Sequence, residues 1–270
     1  MKPRLFIFGL GYTASRIASA LESRGWDVIA TGRDGQLSFD DDGGVRLGLA
    51  DASHVLSSVP PGGAPHQHGG IDPVLDRYGD ALRGKRWIGY LSSTGVYGDT
   101  GGAWVDESAP IGTGRRSARS EADLDWQALH ARVFRLPGIY GPGRSVFERV
   151  AAGTAQRIDM LKDHKGQVFS RVHVDDIVSG VMAALDAPVG VYNLADDCPT
   201  SQNTLIEEAC RLMRRAPPPL LTLDQANLSP MARSFYAENR RVANGKAKRM
   251  LGWAPAYPNY RAGLWHLAAG

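Results

Sequence analysis

Leu5-Phe6-Ile7-Phe8-Gly9-Leu10-Gly11-Tyr12-Thr13-Ala14 opens the chain with an apolar, aromatic-rich run and an immediate glycine turn. The run reads as a buried parallel strand. After the turn, Ile17, Ala18 and Leu21 fall on one face of a helix that closes near Gly25, and Val28-Ile29-Ala30 reads as a second strand. Strand, glycine turn, helix and strand in this order present bare backbone amides and a helix N-terminus to a pyrophosphate. Gly9, Gly11, Thr13 and Ala14 are therefore candidate dinucleotide contacts, with Tyr12 as a wall beside them.

The second strand decides which dinucleotide is expected. An NAD site places a carboxylate at its end, about twenty residues past the turn, to hold the adenosine ribose. Here the strand ends Ala30-Thr31-Gly32-Arg33, so the acidic position falls on Gly32. Glycine removes the charge and leaves room, while Arg33 offers a planar fork suited to a 2′-phosphate. NADP is expected as cofactor ahead of NAD. Arg33 could equally be a solvated turn residue paired with Asp34.

The whole chain has 270 residues, 43% hydrophobic and 22% charged, with a net charge of +3. That suits one large globular domain or one and a half. The arginines are scattered, so nucleic acid is not an expected partner. No apolar run reaches the length of a bilayer span, and because Met1-Lys2-Pro3-Arg4 leads straight into the first strand no signal peptide is expected. Cys198 and Cys210 show no metal-ligand pattern, and the protein is expected in the cytoplasm with reduced thiols. Further strand-like runs stand at Val55–Val59, Trp87–Leu91, Val133–Leu136 and Val191–Leu194. Their alternation with helical stretches predicts an α/β fold, a Rossmann-type doubly wound parallel sheet. Residues 1–195 form the expected nucleotide-binding domain, with 141–172 partly in the substrate lobe, and 196–270 form a small, mostly helical cap. Ser57 and Ser92, near the carboxyl ends of two strands, are further candidate cofactor contacts.

Several motifs recur in one family: Leu91-Ser-Ser-Thr-Gly-Val-Tyr-Gly98, Arg135-Leu-Pro-Gly-Ile-Tyr-Gly-Pro-Gly-Arg144, Arg171-Val-His-Val-Asp-Asp-Ile-Val178 and Lys248-Arg-Met-Leu-Gly-Trp253. Together with the glycine turn, they make the chain resemble the extended short-chain dehydrogenase/reductases, the NAD(P)-dependent epimerase/dehydratase group, and especially its atypical members. The resemblance implies that Ser93 hydrogen-bonds the reacting oxygen, with Thr94 beside it. It also implies that Pro137, Gly138 and Ile139 lie against the nicotinamide, and that Tyr140 and Arg144 face the substrate. His173 and Asp175 are implied as structural, Asp175 as a helix N-cap. A small-molecule substrate, sugar-type by analogy, and a homodimer are further implications.

Two departures stand out. The family's tyrosine and lysine four residues apart, which move the proton, have no counterpart: no tyrosine stands between Tyr97 and Tyr140, and no lysine between Lys85 and Lys162. At their place the chain reads Arg115-Arg116-Ser117-Ala118-Arg119, and arginine does not exchange a proton near neutral pH. Arg119, nearest the missing lysine, is a candidate substrate contact; Tyr97 is a candidate proton donor. Phe8 stands where the common family pattern has its first glycine. His66 and His68 could suggest a metal pair, but no third ligand follows and no metal is expected. Two functions remain open: an NADP(H)-dependent oxidoreductase or epimerase-like enzyme with an unconventional proton donor, and a catalytically idle NADP(H)-binding sensor or interaction protein.

Overall fold

Strands and helices alternate along the computed structural model, which describes residues 2–62, 72–112, 117–160 and 166–269. The first half runs β1 (Arg4–Phe8), α1 (Tyr12–Glu22), β2 (Asp27–Ala30), α2 (Asp42–Asp51), β3 (His54–Ser57), α3 (Pro73–Tyr78), β4 (Trp87–Ser93), β5 (Trp104–Val105), α4 (Ser117–Ala128) and β6 (Arg132–Leu136). The second half begins β7 (Gly138–Tyr140), α5 (Val146–Ala151), β8 (Arg157–Ile158), β9 (Arg171–His173), α6 (Val174–Ala183) and β10 (Gly190–Asn193). It ends with α7 (Gln202–Leu212), β11 (Leu220–Leu221), α8 (Pro230–Phe235), β12 (Arg241–Val242), α9 (Gly245–Leu251) and α10 (Tyr260–Ala269).

Six strands form one parallel sheet in the order β10-β6-β4-β3-β1-β2. The order reverses between β1 and β3. In open α/β sheets the ligand crevice lies at the strand carboxyl ends beside such a reversal. The sheet is covered on both faces, which explains the continuous apolar run of β1. Leu5 and Ile7 join one core with Ile17 and Leu21 of α1 and Ile177 and Val181 of α6. Phe6 and Phe8 join the other, with Val45 and Leu49 of α2 and Trp126 of α4. Phe8 is fully buried and stacks on Tyr78 with ring centroids 5.5 Å apart. Burying such a side chain stabilises the fold by roughly 1.5–3 kcal/mol. Phe8 is thus a strand residue, and the turn proper starts at Gly9, with φ +83°.

Three short parallel pairs, β5–β12, β7–β9 and β8–β11, tie later chain to earlier chain. A separate small core joins α5, α7 and α10 through Val146, Val150, Leu205, Ile206 and Leu264. The expected domain boundary at 195/196 runs through a shared core, because Ala247 and Trp253 pack with Leu5 and Ile7. The Trp253 indole N–H donates to the Asp176 carbonyl at 3.1 Å, and the Asp176 carboxylate accepts from the backbone N–H of Ala256 at 2.6 Å and of Tyr257 at 3.1 Å. The cap of α6 is His173, whose Nδ1 accepts from Asp175 N–H at 3.3 Å. Asp175, expected as that cap, sits one turn position further in and pairs with Arg16 at 3.3 Å. Among the described residues, no helix is long and apolar enough to cross a membrane.

Candidate functional site

The glycine turn is pinned between the ends of β2 and β3. Leu10 N–H donates to the Thr31 carbonyl at 2.8 Å, Gly9 N–H to Thr31 Oγ1 at 3.2 Å, and Ser58 Oγ to the Gly9 carbonyl at 2.6 Å. The helix that follows is capped by Gly11, with no side-chain acceptor for its first-turn amides. Those N–H groups and the helix dipole therefore favour an anion from outside the chain. Ala14 is fully buried, which lets α1 sit close on the sheet. At the end of β2, Gly32 has φ +126°, and a Cβ there would lie 3.1 Å from Leu10 N. At the position that carries a carboxylate in NAD sites, a side chain would be strained by the backbone φ and crowded by the glycine turn. Beside it Arg33 is 94% exposed, with Asp34 3.9 Å away and also exposed.

A crevice of about 950 Å³ opens at the carboxyl ends of the sheet and extends toward α5, α7 and α8. It gathers Gly11, Tyr12, Thr13, Ser92, Ser93, Thr94, Arg119, Pro137, Gly138, Ile139, Tyr140 and Arg144 in its wall. Gly9, Ala14, Gly32, Arg33, Ser57 and Tyr97 stand outside that wall. The Ser57 hydroxyl is buried without a hydrogen-bond partner among the described residues.

Ser93 ends β4 and caps the short 3-10 turn Thr94–Tyr97: its Oγ accepts from Gly95 N–H at 3.1 Å. Beneath it lies a buried ionic network. Asp123 receives two hydrogen bonds from the Arg135 guanidinium, at 2.7 and 3.1 Å. It also accepts from Ser92 Oγ at 2.6 Å and Gln127 Nε2 at 2.7 Å. Arg135 Nη1 donates to the Tyr97 hydroxyl at 3.0 Å, which donates to Asn193 Oδ1 at 2.8 Å. Burial pushes the Tyr97 phenol up to about 12, against the pull of Arg135. Tyr97, expected as a proton donor at the crevice, instead locks β4, β6 and β10 together below it.

Tyr12 bridges the two rims. Its hydroxyl donates to the Pro142 carbonyl at 3.0 Å, and the guanidinium groups of Arg16 and Arg144 lie 5.3 and 5.6 Å from its ring centroid. Tyr140 is buried with its hydroxyl unpartnered, edge-on to His173 at 5.2 Å. Burial raises the Tyr140 phenol far above its ordinary value. Arg119, on α4, faces the buried Tyr90 phenol and opposes the upward push of burial on it. Arg115, Arg116, His66 and His68 lie outside the described residues.

No family model matches the chain. A conserved protein of unknown function from Silicibacter pomeroyi is 41% identical across 99% of both chains, with a TM-score of 0.85. The human epimerase family protein SDR39U1, solved with NADPH, is 17% identical across 99% of both chains, with a TM-score of 0.74. A Streptomyces 3-diazoavenalumate denitrifying reductase is 26% identical over 297 residues, 94% of this chain and 96% of that protein.

The chain shares its fold with epimerase and dehydratase structures.

Within that fold the chain keeps the serine of the crevice and fills α4 differently from the pattern of the family it resembles. In place of a tyrosine and a lysine, α4 carries the buried Asp123 and Trp126 and the crevice arginine Arg119. Sequence reasoning missed the Asp123–Arg135 pair, although an arginine inside the apolar strand Val133-Phe-Arg-Leu136 was the available signal. It also missed the distal wall, where Arg149, Phe169, Arg171, Gln202 and Tyr236 meet. They come from four separate segments, and no local spacing connects them.

Proposed function

We propose that this chain is an NADP(H)-dependent reductase acting on a small molecule held in the crevice. The observation that carries the reading is the junction of the glycine turn with Gly32. It disfavours a ribose-binding carboxylate at position 32 and leaves the exposed Arg33 beside the uncapped α1 terminus. Gly9, Gly11, Thr13 and the first turn of α1 would hold the pyrophosphate, and Arg33 the 2′-phosphate. Pro137, Gly138 and Ile139 would lie along the nicotinamide, which supplies the hydride when bound.

Ser93 Oγ accepts one hydrogen bond from the backbone, so its own hydrogen remains for a substrate oxygen. No tyrosine–lysine pair stands beside it, and the open crevice admits water as the source of any proton the product needs. The curated relative, a reductase, supports this direction of chemistry over epimerisation. The missing pair also favours a second reading, an NADP(H)-binding protein without turnover.

Calorimetric titration of nucleotide-free protein with NADPH and with NADH tests the reading. Tighter NADPH binding by two or more orders of magnitude supports it, whereas equal or tighter NADH binding overturns the role of Arg33. NADPH oxidation by the wild type with a panel of carbonyl substrates, lost in Ser93→Ala, separates the reductase from the idle binder.

A further inference from the structure

The distal half of the crevice carries two arginines, Arg171 and Arg149; the buried Asp196 attracts Arg171, but burial pushes that carboxyl up to about 7, toward its neutral form. Arg171 is 5% exposed and lines the crevice. Its guanidinium donates only to neutral acceptors: the carbonyls of Phe169 at 2.9 Å and Thr200 at 3.0 Å, and Gln202 Oε1 at 3.1 Å. The Gln202 amide nitrogen, also buried, has no hydrogen-bond partner among the described residues. Arg149, on the exposed side of α5, reaches the same wall, and among the described residues neither arginine has a carboxylate within 4.0 Å. A buried guanidinium whose hydrogen bonds all go to neutral groups is a costly arrangement that an anion relieves. Next to it Phe169 and Tyr236 stand edge to face at 5.6 Å, with the Arg171 guanidinium 5.9 Å from the Phe169 ring centroid.

Resting on the NADP(H) reductase reading, we infer that the substrate is an aromatic carboxylate. Its ring packs against Phe169 and Tyr236, and its carboxylate meets Arg171 and Arg149. A planar carboxylate matches the guanidinium fork, and the ring gains edge or stacking contacts with the aromatic pair. A diphosphate fits this wall poorly. The N-terminus of α5 is closed by its own capping box, Ser145 with Glu148, and that of α7 by Ser201. Neither helix end leaves an open cradle of backbone amides for phosphate.

The test is calorimetry on the full chain saturated with NADPH, using benzoate, cinnamate, 4-hydroxycinnamate, 4-hydroxycinnamyl alcohol and UDP-glucose as probes. The inference expects one or more of the acids to bind, with 4-hydroxycinnamate at least tenfold tighter than its alcohol. Arg149→Gln, an exposed substitution that leaves the core intact, should weaken the acid about tenfold and leave the alcohol and NADPH unchanged. Equal binding of acid and alcohol, binding of UDP-glucose alone, or an Arg149→Gln variant indistinguishable from wild type on the acids overturns it. Because NADPH is titrated first, its failure to bind overturns the reductase reading itself. NADPH binding with no acid bound overturns only the substrate class.

Discussion

At Gly32 the backbone itself limits what the end of β2 can offer a dinucleotide. Its φ of +126° and the 3.1 Å approach of a notional Cβ to Leu10 N leave no side chain that fits without moving the glycine turn. In the proposed reading, the choice between dinucleotides rests on Arg33, a single exposed side chain. Arg33→Ala should weaken NADPH by about tenfold, ~1.4 kcal/mol, and leave NADH unchanged in parallel titrations. The tyrosines divide differently. Tyr97 is engaged on both sides by Arg135 and Asn193, so Tyr97→Phe should lower stability by about 1 kcal/mol while NADPH oxidation stays within about twofold of wild type. A collapse of turnover in a folded Tyr97→Phe protein would restore it as a proton donor.

Among the elements, the turn after β7 and the helix α1 act as one device. Tyr12, in the first turn of α1, holds Pro142, and a Cβ at Gly141 would lie 2.6 Å from both the Tyr12 hydroxyl and Val174 Cγ1. Gly141→Ala should therefore break the Tyr12–Pro142 bond, cost about 1–3 kcal/mol by overpacking, and weaken NADPH binding through the displaced Arg144. Thermal denaturation and titration together check this, and an unchanged NADPH affinity would show that the rim is not part of the cofactor site. The α1 strand–turn–helix unit was legible because its signals are local: apolar run, glycines, apolar helix face. The α4 contribution was not, since Asp123 gains meaning only when β6 delivers Arg135 to 2.7 Å.

Across the molecule, the burial of acids and histidines away from the crevice sets how stability depends on pH. Burial raises Asp196 to about 7, partly opposed by Arg171 and the Cys198 N–H, against about 3.9 in an unfolded chain. Between these values the folded state holds a proton that the unfolded state has released, so this contribution to stability is present at acid pH and lost as pH rises toward 7. Burial acts oppositely on His54 and His173, pushed down to about 4; their contribution is lost as pH falls from about 6.5 toward 4. Comparing Asp196→Asn with wild type cancels the histidines. The wild type should lose stability relative to the variant between pH 5 and pH 8, by up to a few kcal/mol. Parallel melting curves for the two proteins across that range would refute it.

The identity and order of neighbouring residues were enough for the sheet, its glycine turn, the gap at Gly32 and the absence of a tyrosine–lysine pair, because each depends on contacts a few residues apart or on a residue simply being missing. The interior fate of Tyr97, the ionic floor under Ser93, the capping of α6 by His173 and the distal wall of Arg149, Phe169, Arg171 and Tyr236 came from the fold. Each joins segments tens of residues apart, and burial, which decides whether a phenol donates a proton or a guanidinium seeks an anion, is a property of the packed chain.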